Sequence, residues 1–160
     1  EAELAHREVP LREIRAREIK TAMMGQSAPK MRVYEYDTTV ARERFLQFEA
    51  EGMLLGFLRL SLPKTDAIIP ELAGAAMIRE VHVYGQSLSF GEESGVRAQH
   101  RGLGRALIEA SCEIAQRLNY TAIAVISSVG TRAYYRRLGF EDGALYQLRP
   151  LSHTKDHAGE

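Results

Sequence analysis

The sequence predicts one α/β domain built on a mixed, mostly antiparallel sheet, with helices between the later strands. Residues 31–84 fall into short runs rich in aromatic and β-branched side chains, several of which alternate with polar residues as in half-buried strands. Residues 103–118 repeat apolar side chains at every third or fourth position, which indicates one buried face of a helix. A chain of 160 residues that is 45% hydrophobic is long enough to bury roughly 70% of its unfolded surface in one core.

Four strands are predicted in the first half of the chain. Residues 32–36 and 43–49 form the first two, separated by the turn-like segment at 37–39. A tight turn at Glu51-Gly52 leads into a third strand over residues 53–62, which Pro63 ends. Residues 75–84 form the fourth strand, and simple alternation assigns its side chains to two faces. One face carries Met77, Arg79, Val81 and Val83, and the other carries Ile78, Glu80, His82 and Tyr84.

The second half adds two helices and two strands. The stripe on the first helix consists of Leu103, Leu107, Ala110, Ile114 and Leu118, and Asn119 ends that helix. Residues 121–126 predict a buried strand, residues 131–138 a short helix closed by Gly139, and residues 140–148 a last strand. We interpret residues 1–30 as an approach segment, residues 31–150 as the domain, residues 85–95 as a Gly/Ser-rich loop, and residues 151–160 as a disordered tail.

Composition excludes several classes of protein. The 21 basic residues balance the 21 acidic ones, which argues against a dedicated basic nucleic-acid module but permits a local basic face. Cys112 is the single cysteine, so this chain cannot build a disulfide framework or a cysteine-bound metal centre. We expect no membrane association, because the longest apolar run, residues 53–58, is far too short to span a bilayer. The single cysteine fits a reducing, intracellular compartment, and we expect a cytoplasmic location. The sequence shows no signal peptide, and a first residue other than methionine fits a piece of a longer protein.

The segment Gln99-His-Arg-Gly-Leu-Gly-Arg predicts an anion-binding site. It opens a helix whose first N–H groups lack intrahelical partners and whose dipole favours negative charge. Its glycines permit close approach of a ligand to the backbone, and its arginines add positive charge. A phosphate or pyrophosphate fits such a cradle. The simpler alternative is that the glycines only form a turn. The candidate ligand-binding residues are Gln99, His100, Arg101, Gly102, Leu103, Gly104 and Arg105.

A second segment, Tyr134-Tyr-Arg-Arg-Leu-Gly-Phe, changes the interpretation of the first. Alone, Tyr135 is most simply a core aromatic residue with a solvated hydroxyl. Together, Gln-x-x-Gly-x-Gly and Tyr-Tyr-x-x-Leu-Gly-Phe resemble the GNAT superfamily of acetyl-CoA-dependent N-acetyltransferases. The resemblance implies the GNAT fold, whose sheet is splayed between its fourth and fifth strands. It places the coenzyme A pyrophosphate on residues 99–105 and the pantetheine arm in the splay, with Val83, Ser128 and Tyr134 as further contacts. It makes Tyr135 the general acid that protonates the leaving thiolate.

Longer stretches of the sequence resemble one particular family within this superfamily. Residues 14–19, 52–60, 79–85, 99–104 and 124–140 are similar to the family of the Elongator catalytic subunit. That similarity implies a tRNA-modifying enzyme that supplies an acetyl group for a carboxymethyl-type modification of the wobble uridine. Its implied partners are tRNA, a radical-SAM domain of the same protein, and other Elongator subunits. The full-length enzyme would also need S-adenosylmethionine and an iron–sulfur cluster, neither of which this chain would bind.

Three departures from the family bear on these expectations. The cysteine cluster of the radical-SAM half is absent, because Cys112 lies within the predicted helix. Some family members carry cysteines around Leu11, Glu13 and Ala16, where this chain has none, so we predict no metal there. Ser128 stands where GNAT enzymes often have an asparagine, which leaves its pantetheine contact open.

Two further groups of residues have competing interpretations. Glu80 and His82 share a strand face beside the expected acetyl group, where a family glutamate often serves as general base; the alternative is a salt-bridged glutamate and a structural histidine. A second group of basic residues is a candidate tRNA contact or a solvated or interdomain face. Its members are Arg12, Arg15, Arg17, Lys20 and Arg32.

The acceptor of the acetyl group is not determined by the fold. The leading hypothesis is the acetyl-CoA-binding domain of a tRNA uridine-modifying enzyme. One alternative is a lysine or small-molecule N-acetyltransferase on the same fold. The other is a non-catalytic module that senses coenzyme A or binds RNA.

Overall fold

A computed structural model of the chain describes residues 28–65, 67–84 and 102–152. The predictions made for the approach segment up to residue 27, for the 85–95 loop and for residues 153–160 lie outside this range. The elements are β1 (Lys30–Asp37), β2 (Ala41–Ala50), β3 (Met53–Pro63), β4 (Ala75–Val83), α1 (Leu103–Arg117), β5 (Ala122–Val125), α2 (Arg132–Arg137), β6 (Glu141–Asp142) and β7 (Gln147–Pro150). Short 3-10 helices occupy Pro70–Leu72 and Val129–Thr131.

The first four strands form the predicted antiparallel meander. The sheet order is β1-β2-β3-β4-β5-β7-β6, and each of the first three pairs is antiparallel. The β2–β3 turn depends on Glu51 and Gly52, whose φ angles of 51° and 78° match the right-handed twist of a two-residue hairpin. The sequence signal at this turn is therefore confirmed.

Helix α1 covers one face of the sheet and forms the core with it. Its buried face combines Leu103, Leu107 and Ile114 of the predicted stripe with Ile108, Cys112 and Ala115, so the apolar face is broader than the sequence pattern indicated. The prediction for Leu118 was wrong: this residue caps the helix and is 39% exposed. Asn119 follows with a φ of 65°, which ends the helix as predicted. Burial raises the pKa of the Cys112 thiol to about 11.

A β-bulge in β4 overturns the predicted assignment of its faces. Arg59 pairs with Glu80 and Leu60 pairs with Ile78, so Arg79 is an extra residue without a partner on β3. Alternation therefore changes phase at Arg79. Ile78 and Val81 both pack on the core beneath α1, although simple alternation placed them on opposite faces.

Strands β4 and β5 separate after a short parallel contact. They pair from Ala75↔Ala122 to Ile78↔Val125, after which β5 ends and β4 continues through Val83. The last part of β4, residues 79–83, thus extends beyond its parallel partner. This confirms the predicted splay between the fourth and fifth strands.

The end of the chain differs from the prediction of one strand over residues 140–148. Two short antiparallel strands, β6 and β7, stand there instead, joined by a turn at residues 143–146. Glu71 accepts hydrogen bonds from the backbone N–H groups of Leu145 and Tyr146, which ties this turn to the segment before β4. Within the described ranges, no helix is long and apolar enough to cross a membrane.

Candidate active site

The N-terminus of α1 lies beside the opening between β4 and β5. Gly102 is the N-cap, with a φ of +100° that other residues rarely adopt. Its carbonyl accepts the first helical bond from Ala106 at 2.8 Å. No side chain of the described residues caps the helix, so the N–H groups of its first turn are available to an anion. Arg105, in this turn, is exposed.

Gly104 keeps the first turn of α1 close to two other site residues. A Cβ atom at Gly104 would lie 3.2 Å from the Tyr134 hydroxyl and 3.5 Å from Cγ2 of Val83. The predicted residues Val83, Gly104 and Tyr134 therefore meet at one place. Gln99, His100 and Arg101, the other residues assigned to this cradle, lie outside the described ranges.

Tyr134 is partly buried and lies near charged residues. Burial raises the pKa of its phenol, the charges of Arg105 and Arg137 oppose that rise, and the smaller effect of Glu109 adds to it. The two arginines therefore lie close enough to act on the hydroxyl, one from α1 and one from the last turn of α2. Their charge complements a polyanionic ligand at this end of the opening.

Tyr135 is more deeply buried than its neighbour, at 8% exposure. Its ring packs edge-on against Phe140, with ring centroids 5.3 Å apart, and against Tyr134 at 5.5 Å. No hydrogen bond joins its hydroxyl to another part of the described chain. Burial raises the pKa of Tyr135, which keeps the phenol protonated at neutral pH, the state that a general acid requires.

Glu80 and His82 contact each other on the sheet face opposite α1. His82 Nε2 lies 3.1 Å from a Glu80 oxygen, and Arg59 Nε lies 3.9 Å from the other. The His82 ring stacks on Phe57 with centroids 5.2 Å apart. The structure is compatible with a general base and with a structural ion pair. Glu80 lies beside Arg59 and His82, which suits an ion pair, and both Glu80 and His82 are partly exposed, which suits a base. Tyr135 belongs to the core on the other face, so the splay is where groups from the two faces can approach one substrate.

Ser128 and Arg32 occupy less distinctive surroundings. Ser128 is exposed between β5 and α2, where its carbonyl accepts hydrogen bonds from the backbone and hydroxyl of Thr131. Arg32 forms a salt bridge with Glu49, which offsets its charge. The other four predicted tRNA contacts lie outside the described ranges. Among the residues that the structure describes, no cluster of three His, Cys, Asp or Glu side chains is placed to hold a metal ion.

Two features mark this site, the separated β4–β5 pair and the helix whose N-cap is a glycine, and a protein-family model also matches most of the chain. The model of the acetyltransferase (GNAT) family matches residues 11–140. The chain therefore belongs to the acetyltransferase (GNAT) family.

Curated relatives are similar to most of this chain. It is 42% identical over 136 residues to the tRNA uridine(34) acetyltransferase of Dehalococcoides mccartyi, a match covering 79% of this chain and 29% of the relative. It is 35% identical over 148 residues to Elongator complex protein 3 of Drosophila melanogaster, covering 84% of this chain and 27% of the relative. The chain thus spans less than a third of the length of these curated relatives.

Solved structures agree with the family assignment. The archaeal Methanocaldococcus infernus Elp3 with an N-terminal deletion matches 94% of this chain and 38% of its own, with a TM-score of 0.75 and 28% identity. The ribosomal-protein-S18-alanine N-acetyltransferase of Escherichia coli matches 78% of this chain and 77% of its own, with a TM-score of 0.50 and 15% identity. The second likeness extends to the fold alone.

Proposed function

We propose that this chain binds acetyl-CoA in the splay between β4 and β5 and is the acetyltransferase part of an enzyme that modifies the wobble uridine of tRNA. The observation that carries the cofactor proposal is the meeting of Gly104, Val83 and Tyr134 at the uncapped start of α1. The N–H groups at the start of α1, the positive charge of Arg105 and the unpaired edge of β4 therefore lie close together.

The residues present fit coenzyme A. Within the described residues, no side chain caps the N–H groups at the start of α1, and these groups together with the exposed Arg105 suit a pyrophosphate. Gly104 leaves a space that a side chain would fill. The part of β4 beyond Ile78 has no partner on β5, so its backbone groups on that side are free to bond an amide-containing arm.

Two side-chain groups have proposed chemical roles. Acetyl-CoA supplies an activated acetyl group in the form of a thioester. Tyr135 holds a proton at its phenol oxygen that can pass to the leaving sulfur, while Glu80, directly or with His82, takes a proton from water or from an acceptor. An ordinary phenol pKa lies near 10 and a thiol pKa near 8.5, and burial raises the pKa of Tyr135 further. The transfer to sulfur is therefore uphill and requires the thiolate to be held close to the hydroxyl.

The acceptor proposal rests on the relatives. Those named for tRNA uridine acetylation or for Elongator are 30–42% identical to this chain. We therefore infer that tRNA is the partner, that the remaining chemistry belongs to a radical-SAM part of the same protein with its S-adenosylmethionine and cluster, and that the enzyme works in the cytoplasm. The basic residues of the approach segment are proposed to contact tRNA phosphates.

Thioester cleavage with different acceptors tests this proposal. The chain is mixed with acetyl-CoA and one of four additions: tRNA with uridine at position 34, the same tRNA with cytidine there, a histone peptide, or none. We expect tRNA to stimulate release of free thiol, with the uridine form more effective, and we expect added salt to weaken the effect because phosphate contacts release counterions. Stimulation by the peptide alone would contradict the tRNA proposal and favour a lysine acetyltransferase.

A further inference from the structure

Gln147 is a fully buried polar residue that no pattern in the sequence singles out. It opens β7 and is 1% exposed. Its side-chain oxygen accepts a hydrogen bond from the Ser127 hydroxyl at 2.6 Å. Its amide nitrogen donates to Asp142 at 2.7 Å and to the backbone carbonyl of Arg132 at 3.3 Å. Both N–H groups and the oxygen of the amide are therefore used.

Asp142 extends this network to the far end of α2. Arg136 donates two hydrogen bonds to the Asp142 carboxylate, from Nε at 3.3 Å and from a terminal nitrogen. These bonds lower the pKa of Asp142, so it is ionised at neutral pH. The charged residues that contact the Gln147 network in the described chain are thus Asp142 on β6 and Arg132 and Arg136 on α2, of which Arg132 contributes its backbone carbonyl.

The contacts of Gln147 lie next to proposed site residues. Ser127 precedes Ser128 at the end of β5, Arg132 begins α2, and Arg136 follows Tyr135. One amide therefore joins the end of β5, the start of α2 and, through Asp142, its last turn. A buried amide that lost these partners would be costly, so the network favours the arrangement in which all three hydrogen bonds form.

We propose that Gln147 is a positioning residue that sets where α2 holds Tyr135 relative to the β4–β5 opening. The hydrogen bonds of Gln147 to Ser127, Arg132 and Asp142 support the effect on the position of α2. The catalytic consequence rests on the proposed function, in which Tyr135 is the acid. A displacement of about 1 Å at a reacting group can lower a rate as much as 100-fold.

Gln147→Glu tests the proposal through pH. The protonated carboxyl group of this variant keeps the two shorter contacts of the glutamine amide: its O–H donates to Asp142 and its carbonyl oxygen accepts from Ser127. Only the 3.3 Å contact with the Arg132 carbonyl is lost, because a carboxyl group has a single donor hydrogen. Ionisation removes the O–H donor and leaves two carboxylates, the introduced one and that of Asp142, close enough to repel each other. Burial and Asp142 both raise the pKa of the introduced carboxyl above its ordinary value of about 4.3. The variant should therefore resemble the unsubstituted chain at low pH and depart from it as pH rises through that raised pKa.

Gln47→Glu is the matched control. Gln47 is also buried, at 3% exposure, and its amide also donates to a carboxylate, that of Glu49, at 2.9 Å. It lies on β2 and makes no hydrogen bond to α2 in the described chain. Both variants should lose stability as pH rises, so any general effect of a buried carboxylate pair appears in both.

Two readouts separate positioning from stability. The first is the NMR signal of the Tyr135 ring in tyrosine-labelled protein, assigned with Tyr135→Phe and followed with pH. The second is the pair kcat and KM for acetyl-CoA cleavage. For Gln147→Glu we expect the Tyr135 signal to move as pH rises and kcat to fall about tenfold, with a smaller change in KM. For Gln47→Glu we expect neither change while the protein remains folded.

The outcomes are distinct. The positioning role would be overturned if the Tyr135 ring signal of Gln147→Glu did not shift with pH. It would also be overturned if the signal shifted equally in Gln47→Glu. A chain that cleaves no acetyl-CoA would count against the proposed function, while the ring signal would still decide the role of Gln147. If Gln147→Glu does not fold, Ser127→Ala removes one contact without adding charge; it should move the Tyr135 signal less, and an unmoved signal overturns the proposal.

Discussion

Replacing Gly56 by alanine is expected to lower the free energy of unfolding by about 3 kcal/mol. A Cβ atom at this position of β3 would lie 2.8 Å from the carbonyl oxygen of His82 and 3.2 Å from Cα of Val83. These are backbone atoms of the paired strand, so they cannot rotate away as a flexible side chain would. The two strands must separate where β4 carries its proposed site residues.

Thermal and urea unfolding measure this effect. For a chain of this size, the expected loss lowers Tm by roughly 6–12 °C. Gly130→Ala is the control, because a Cβ there meets nothing within 4 Å and its φ is not in the left-handed region; its stability should be unchanged or slightly higher. Equal stability of the Gly56 and Gly130 variants would show that β3 and β4 are not as close as described.

Replacing Tyr135 by phenylalanine is expected to lower kcat for acetyl transfer about 100-fold. In the proposed mechanism, the substitution removes the proton that passes to the leaving sulfur, and it keeps the ring that packs against Phe140. The Tyr135 hydroxyl makes no hydrogen bond within the described chain, so its removal should change the free energy of unfolding little. Because the fold and the ring packing are kept, the affinity for acetyl-CoA should be largely retained.

Tyr134→Phe provides the comparison for that result. Tyr134 places its hydroxyl against the first turn of α1, so its loss should affect binding of the cofactor more than the rate of the bound complex. Turnover measured at saturating acetyl-CoA, together with the dissociation constant, separates the two tyrosines. Unchanged turnover of Tyr135→Phe would exclude this residue as the acid.

The sequence predicts most elements of the fold because their signals are local. Alternation, the Glu51-Gly52 turn and the stripe from Leu103 onward depend on neighbouring residues. The bulge at Arg79 was missed because residues 75–78 are all apolar and show no alternation, so the odd-position pattern that begins at Val81 has no earlier phase to compare with. Consecutive polar residues at that point mark the change of phase. The split of the last strand also has a local signal, because Gly143 interrupts the predicted strand.

The site could be predicted only in part, because some of its contacts join distant segments. Spacing and family resemblance indicate the start of α1 and the Tyr134–Tyr135 pair. The approach of the Tyr134 hydroxyl to Gly104 joins two segments far apart in the chain, and no local pattern encodes it. Gln147 has no periodic or compositional signal either, because its role arises from partners on separate elements that the tertiary fold brings together.

Titration of the chain with acetyl-CoA in a calorimeter tests the central proposal most directly. The unsubstituted chain should bind one equivalent. Gly104→Val should bind at least tenfold more weakly, or about 1.4 kcal/mol, because the added side chain occupies the space between Tyr134 and Val83. Gly130→Ala should bind like the unsubstituted chain. If the folded chain binds no acetyl-CoA at millimolar concentration, or if Gly104→Val binds it equally well, the opening between β4 and β5 is not the cofactor site.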